Sequence, residues 1–233
     1  MTSENPASAT AEDRTLARAD MVRLAAAAGG GSARLVGCTL DGADLSGLDL
    51  TGWHFERCSL READLAGARL DRSRWHSCRG ALASLRAADL TEAEFRACDF
   101  NNADLRGARM TSVRLTGCKL TGADLTEARL FDLACEEVLF AGARLAGSVW
   151  RRQRLRRIDW GQADLRRADF REAVFEDCSL RDALLAGARF DKADLRGADL
   201  GGLRLSDAAL FRGATISRDQ AALLMAELGL RLG

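Results

Sequence analysis

The chain is 233 residues long, 47% hydrophobic, and carries 34 Lys+Arg against 34 Asp+Glu. That much apolar material builds a packed core in one or two domains and excludes a disordered chain; the zero net charge gives no drive toward nucleic acid or an anionic membrane. Aromatics are only 6%, Tyr is absent and Pro occurs once, at Pro6, so many small, similar side chains must fill the interior.

No stretch approaches the roughly 20 apolar residues that span a bilayer. The N-terminal residues include Glu4, Glu12, Asp13 and Asp20 and lack an apolar export core, so a cytoplasmic protein is expected. Residues 1–32 read as an N-terminal tail: 1–10 as disordered, and 11–28 as an Ala-rich helix ended by Gly29, Gly30 and Gly31. That helix either caps the first coil of the repeat region or frays.

From Leu35 to Leu210 the sequence repeats every five residues without a slip. Of the 36 positions divisible by five, 23 are Leu, 7 Phe and 3 Trp, with Met110, Gly80 and Cys135 completing the set. Two residues before these centres, 20 of the 36 are Ala and 6 are Cys. A period of five fits neither a helix nor a long strand. It fits a very short extended piece, whose small and large residues both point inward, followed by a turn in which Gly tolerates positive φ. A second period sets the closure. Cys38, Cys58, Cys78, Cys98 and Cys118 recur every 20 residues, as does the unbroken Leu column from Leu45 to Leu205. Twenty residues make one four-sided coil, so 33–212 predicts a β-helix of about nine coils, each stabilised by its neighbours.

Candidate chemistry is sparse. Six of the seven cysteines occupy inward small positions with no Cys-x-x-Cys pair, so they read as buried hydrophobes, and Cys135 is expected to be buried as well. His54 and His76 are outward-facing with no metal or catalytic partner in the pattern. The Asp of the recurring Ala-Asp-Leu triplets reads as a residue that hydrogen-bonds turns and neighbouring coils. With no phosphate loop, nucleophile elbow or metal motif, neither enzymatic activity nor a cofactor is expected. Two surface features stand out. Arg151, Arg152, Arg154, Arg156 and Arg157 form a basic run, read either as a nucleic-acid contact or as a solvated face balanced by nearby Asp159, Asp164 and Asp169. Phe131, Leu139, Val149, Val174, Leu184 and Phe211 are apolar at outward positions. Phe131 and Val149 fall on the same side of adjoining coils, making them, with Arg151, Arg152 and Arg154, a candidate partner surface.

Residues 213–233 close the chain with a helix. Ser217 and Gln220 match a capping box, and Ala221, Leu224, Met225 and Leu228 form one apolar stripe that ends at Gly229. The stripe serves either as a plain cap or as a dimerisation surface.

The repeat resembles the A(D/N)LXX pattern of the pentapeptide-repeat family over about three quarters of the chain, which implies a right-handed quadrilateral β-helix. Residues 214–229 resemble the terminal helix of its quinolone-resistance subgroup, the Qnr and MfpA proteins. That resemblance implies a homodimer through Ala221, Leu224, Met225 and Leu228, and DNA gyrase or topoisomerase IV as partner, protected from fluoroquinolones by a rod taken to mimic DNA. The unbroken register leaves no inserted loops. With 28 acidic and 29 basic residues between 33 and 212, mimicry by charge is not expected, and neither is direct nucleic-acid binding. The alternative is a protein–protein scaffold with another partner.

Overall fold

The computed structural model describes residues 9–203, 205–227 and 229–230. The chain is a parallel β-solenoid of about ten turns, a right-handed quadrilateral β-helix with a C-terminal helix. It divides into two compact units, Met1–Lys119 with Asp124–Ala134, and Leu120–Ala123 with Cys135–Gly233.

In the first unit, β1 (Ala9–Glu12), β2 (Ala33–Val36), β3 (His54–Glu56), β4 (Arg74–His76), β5 (Glu94–Arg96) and β6 (Arg114–Thr116) stack in sequence order as one parallel sheet. From β2 onward the register is 20 residues: Arg34 pairs His54, His54 pairs Arg74, Arg74 pairs Glu94 and Glu94 pairs Arg114. Side chains alternate along each short strand, so Phe55, Trp75 and Phe95 point into the coil and their flanking residues point out. The remaining sides are single bridges such as Asp44↔Asp64 and Asp64↔Ser84. Each layer is hydrogen-bonded to the next, as where the Leu45 N–H donates to the Asp64 carbonyl at 2.7 Å and the Asp64 N–H returns to Ala43 at 2.9 Å.

Corners are tight turns in which the small residue donates back to the preceding centre, for example Ala63 N–H to the Leu60 carbonyl at 3.1 Å. Their second turn residue sits at positive φ whether or not it is glycine: 63° at Gly67, 61° at Leu82. A β-carbon there costs roughly 1–2 kcal/mol. The inter-coil ladder on both sides of the turn holds the conformation anyway, and this is why the glycine signal is patchy while the turn is regular.

The turn added to the nine counted from the repeat lies N-terminal to it. Ala9–Glu12 pairs in parallel with Ala33–Val36 and buries Ala11 beneath Leu35. The helix α1 is therefore shorter than expected, Arg18–Ala27, with its N–H at Ala17 received by the Asp20 carboxylate at 2.9 Å. Met21 is fully buried, and Arg18 reaches the carbonyls of Asp44 and Ser46 at 3.2 and 3.0 Å. Of the segment expected to be disordered, Ala9 and Thr10 lie in β1 and residues 1–8 lie outside the described residues.

In the second unit, β7 (Ala134–Glu136, from Cys135 onward), β8 (Arg154–Arg156) and β9 (Val174–Glu176) continue the 20-residue register, Glu136 with Arg156 and Arg156 with Glu176. The core is aromatic: Phe140 stacks on Trp160 at 6.5 Å, Trp150 on Phe170 at 6.3 Å and Phe170 on Phe190 at 5.0 Å. Two short parallel strands, β10 (Cys178–Ser179) and β11 (Ala198–Asp199), follow. The five-residue spacing runs on to Leu210, but the chain leaves the coil earlier, into a 3₁₀-helix at Leu205–Phe211. The residues around it still serve in part as a next layer, the Phe190 N–H donating to the Leu210 carbonyl at 3.2 Å and the Leu195 N–H to the Thr215 carbonyl at 2.8 Å. One consequence corrects an expectation: Phe211 is half-buried, its ring stacked on Phe190 at 4.6 Å.

Helix α2 (Arg218–Glu227) opens with the capping box expected at Ser217 and Gln220. Ser217 N–H donates to Gln220 Oε1 at 2.7 Å, and Gln220 N–H donates to Ser217 Oγ at 3.1 Å. Gln220 Nε2 then donates to the carbonyls of Leu195 and Ala198 at 2.6 and 2.5 Å, fastening the helix to the last coil. Gln220→Ala removes the box and both contacts together, and is expected to destabilise the protein by about 1–3 kcal/mol in urea unfolding followed by circular dichroism. An effect below about 0.5 kcal/mol would mean that the helix is not held through this residue.

Candidate interaction surfaces

The cysteine column is interior. Cys38, Cys58, Cys78, Cys98, Cys118 and Cys178 are buried and free. Several thiols donate to the carbonyl of the centre one coil back, Cys78 to Phe55 at 3.3 Å and Cys178 to Leu155 at 3.3 Å. Burial raises the Cys38 and Cys178 thiols above their ordinary pKa, which makes them poor nucleophiles. Cys135 is half-buried, where full burial was expected. Its short side chain fills less of the coil centre than the leucine at Leu155, one layer on. Among the described residues no group of His, Cys, Asp and Glu is placed to hold a metal ion.

The repeat aspartates act on the backbone. Asp44, Asp89 and Asp124 each accept the N–H two residues on, at 2.9, 3.1 and 3.0 Å. Where Arg occupies that second position, its guanidinium folds back on the same carboxylate, as Arg106 does on Asp104 and Arg166 on Asp164. These arginines hold Asp104 and Asp164 below the usual carboxylate range. These aspartates are turn braces, and Asp104 and Asp164 are also charge-paired.

The basic run is neutralised as well. Arg152 Nε donates to Glu172 at 2.9 Å, and Arg151 joins the same carboxylate at 3.1 Å. Arg154 and Arg156 converge on Glu176 at 2.6 and 2.7 Å, and Arg157 spans Glu136 and Glu137. Arg152 first and Arg151 second pull the Glu172 carboxyl below its ordinary pKa. The balancing acids lie one coil away, about 20 residues in sequence, and not at Asp159, Asp164 or Asp169. Among the outward apolar residues, Phe131 is 74% and Val149 52% exposed. They belong to the first and second unit respectively. On α2, Ala221, Leu224 and Met225 are half-buried and Leu228 lies outside the described residues, whereas Leu223, absent from the expected stripe, is 66% exposed.

One surface escaped the sequence reading. On the outer face of β2–β6 a trough of about 600 Å³ runs between two rows of side chains. Arg34, His54, Arg74, Glu94 and Arg114 form one wall, and Glu56, His76, Arg96 and Thr116 the other. Arg34 pairs with Glu56 at 2.6 Å. Among the described residues Arg74, Arg96 and Arg114 make no ion pair. His54 is half-buried in this row; burial first, then Arg74 and Arg34, lower its pKa, so it stays neutral at neutral pH. These residues lie 20 apart in sequence, and no local run announced them.

The family profile of the pentapeptide repeat region matches residues 48–125 and 88–165, and that of pentapeptide repeats in eight copies matches 154–185, 163–202 and 173–210. The chain belongs to the pentapeptide-repeat family. Among curated proteins, no sequence matches it. Of solved pentapeptide-repeat structures, a trypsin-treated variant of QnrB1, a plasmid-mediated fluoroquinolone resistance protein, superposes with a TM-score of 0.74 at 23% identity, covering 85% of this chain and 99% of that treated chain. HetL, involved in heterocyst differentiation regulation in the cyanobacterium Nostoc sp. strain PCC 7120, gives 0.50 at 25% identity over 84% of this chain and 89% of its own. In a repeat solenoid the inward side chains are fixed by packing between neighbouring coils, and the outward ones are not.

Proposed function

We propose that this pentapeptide-repeat protein is a non-enzymatic binding protein that engages a type II topoisomerase, DNA gyrase or topoisomerase IV, in the cytoplasm and protects it from fluoroquinolones or a related poison. The observation that carries the reading is the terminal helix. A Qnr-like capping box and apolar segment follow the last coil, and Leu223 on that helix stands 66% exposed. The likeness to the trypsin-treated QnrB1 chain, over 99% of it, supports the scaffold on which this reading rests. In it, two copies associate through α2, with Leu223 joining Ala221, Leu224, Met225 and Leu228, and the topoisomerase meets outward side chains of the solenoid, Phe131 on the first unit and Val149 on the second. Arg151, Arg152 and Arg154 take part by exchanging Glu172 and Glu176 for groups on the partner. Because acids and bases are so nearly equal in number, 28 to 29 between 33 and 212, the contact is one of shape and local groups; an overall negative potential imitating DNA plays no part in it.

Two measurements test this. The intact chain is expected to sediment as a dimer at micromolar concentration and the Leu223→Asp variant as a monomer, since an unpaired charge in an apolar contact abolishes it; a monomeric intact chain would remove the main support. In a gyrase supercoiling assay with a fluoroquinolone, purified protein is expected to restore supercoiling as it is titrated. Neither protection nor inhibition would sink the reading and leave a scaffold for another protein.

A further inference from the structure

We propose that the trough on the β2–β6 face of the first unit docks an extended acidic polypeptide segment, held by Arg74 and Arg114 on one wall and Arg96 on the other. This goes beyond the topoisomerase reading and does not rest on it.

The same face of the second unit supplies the contrast. There every arginine of the sheet, Arg154 and Arg156 with adjacent Arg157, is spent on Glu176, Glu136 or Glu137. In the first unit four arginines face two glutamates across the trough, and three of the four lack an ion partner among the described residues. His54, whose pKa is lowered by burial first and then by Arg74 and Arg34, adds no positive charge to the trough at neutral pH. Long solvated guanidiniums lining a concavity bind carboxylates through charge-assisted, bidentate hydrogen bonds.

A carboxylate and a phosphate share that chemistry, and the geometry favours the former. Glu94 stands in strand register between Arg74 and Arg114, and among the described residues its carboxylate forms an ion pair with neither. A nucleic-acid strand carries a phosphate about every 3.4 Å and would lay charge directly over Glu94. A polypeptide leaves that position uncharged. Arg74 and Arg114 are two layers apart, about 9.6 Å. A polyproline II chain returns a side chain to the same face every third residue, about 9.3 Å. Acidic residues at i and i+3 therefore fall on Arg74 and Arg114, with Arg96 one layer between them on the opposite wall.

The test is fluorescence anisotropy of the full chain with a labelled peptide of Glu-Pro-Pro repeats. A Lys-Pro-Pro peptide and a single-stranded oligonucleotide of equal charge serve as comparators. The acidic peptide is expected to bind and to weaken by about tenfold or more in Arg74→Glu/Arg114→Glu. Arg166→Glu, whose arginine is already committed to Asp164, is expected to leave binding unchanged. Thermal melts establish that each variant is folded, and Arg96→Gln replaces the double variant if that one is not. No binding at millimolar protein, equal loss in Arg166→Glu, or tighter binding of the oligonucleotide would each overturn the proposal.

Discussion

Trp75→Ala is expected to lower the unfolding free energy by about 3–5 kcal/mol, the range for removing a large aromatic from a packed interior. Trp75 is 1% exposed. Its ring lies parallel to Phe55 at 3.9 Å and to Phe95 at 5.5 Å, one coil to either side, and meets Phe100 edge-on at 5.9 Å. The substitution thus opens both inter-coil contacts of that layer, and in a solenoid those contacts are what stabilise a coil that cannot bury its own faces. The indole is also wired: Nε1–H donates to Ser73 Oγ at 2.8 Å, and that hydroxyl donates to the Leu70 carbonyl at 2.6 Å. Ser73→Ala, which strands the buried N–H, accounts for about 1–3 kcal/mol by itself. Urea unfolding checks both values. A loss below about 2 kcal/mol for Trp75→Ala would mean that the layer relaxes into the gap and the coils are less coupled than the stacking implies.

The fold was legible because a solenoid writes its cross-section into sequence. The period of five gave the sides, and the Cys and Leu columns gave the 20-residue coil. What stayed hidden falls into two kinds. Where the periodicity stops, at Ala9–Glu12, and where it outlasts the coil, at Leu205–Phe211, the outcome is set by whether a neighbouring layer exists to accept hydrogen bonds, which no local pattern records. The surfaces were hidden for the opposite reason. Sequence reading sees runs, and the run at Arg151–Arg157 is the one whose charges Glu136, Glu137, Glu172 and Glu176 cancel. Arg74, Arg96 and Arg114 are unremarkable singly and become a cluster only when coils stack. The outward positions, followed down each 20-residue column like the inward cysteines, carry the signal that would have found them. Ser73 and Ser148 were likewise legible in principle: each sits two residues before a centre Trp, and each accepts its indole N–H, at 2.8 and 2.7 Å.

Gly80→Leu, which restores the repeat at its one glycine centre, is expected to destabilise the protein by about 1–3 kcal/mol, the cost of overpacking a filled interior. The space a side chain at Gly80 would need is taken by Phe100, the next centre of the same column. A β-carbon at Gly80 would lie 2.5 Å from Cδ1 of that ring and 2.9 Å from its Cζ. Phe100 cannot swing away, because it is 4% exposed and held edge-on by Trp75 at 5.9 Å and Phe95 at 5.5 Å. The two positions therefore share one volume: phenylalanine leans into the layer that glycine leaves empty. Phe100→Leu alone opens that space and is expected to cost about 1 kcal/mol or more. Gly80→Leu combined with Phe100→Leu returns both layers to the common leucine pattern, and is expected to be more stable than the sum of the single effects by about 0.5–3 kcal/mol in a double-mutant cycle. If the two losses simply add, the glycine is not there to admit the ring, and the exchange of volume between neighbouring coils is not how this column tolerates its irregular centres.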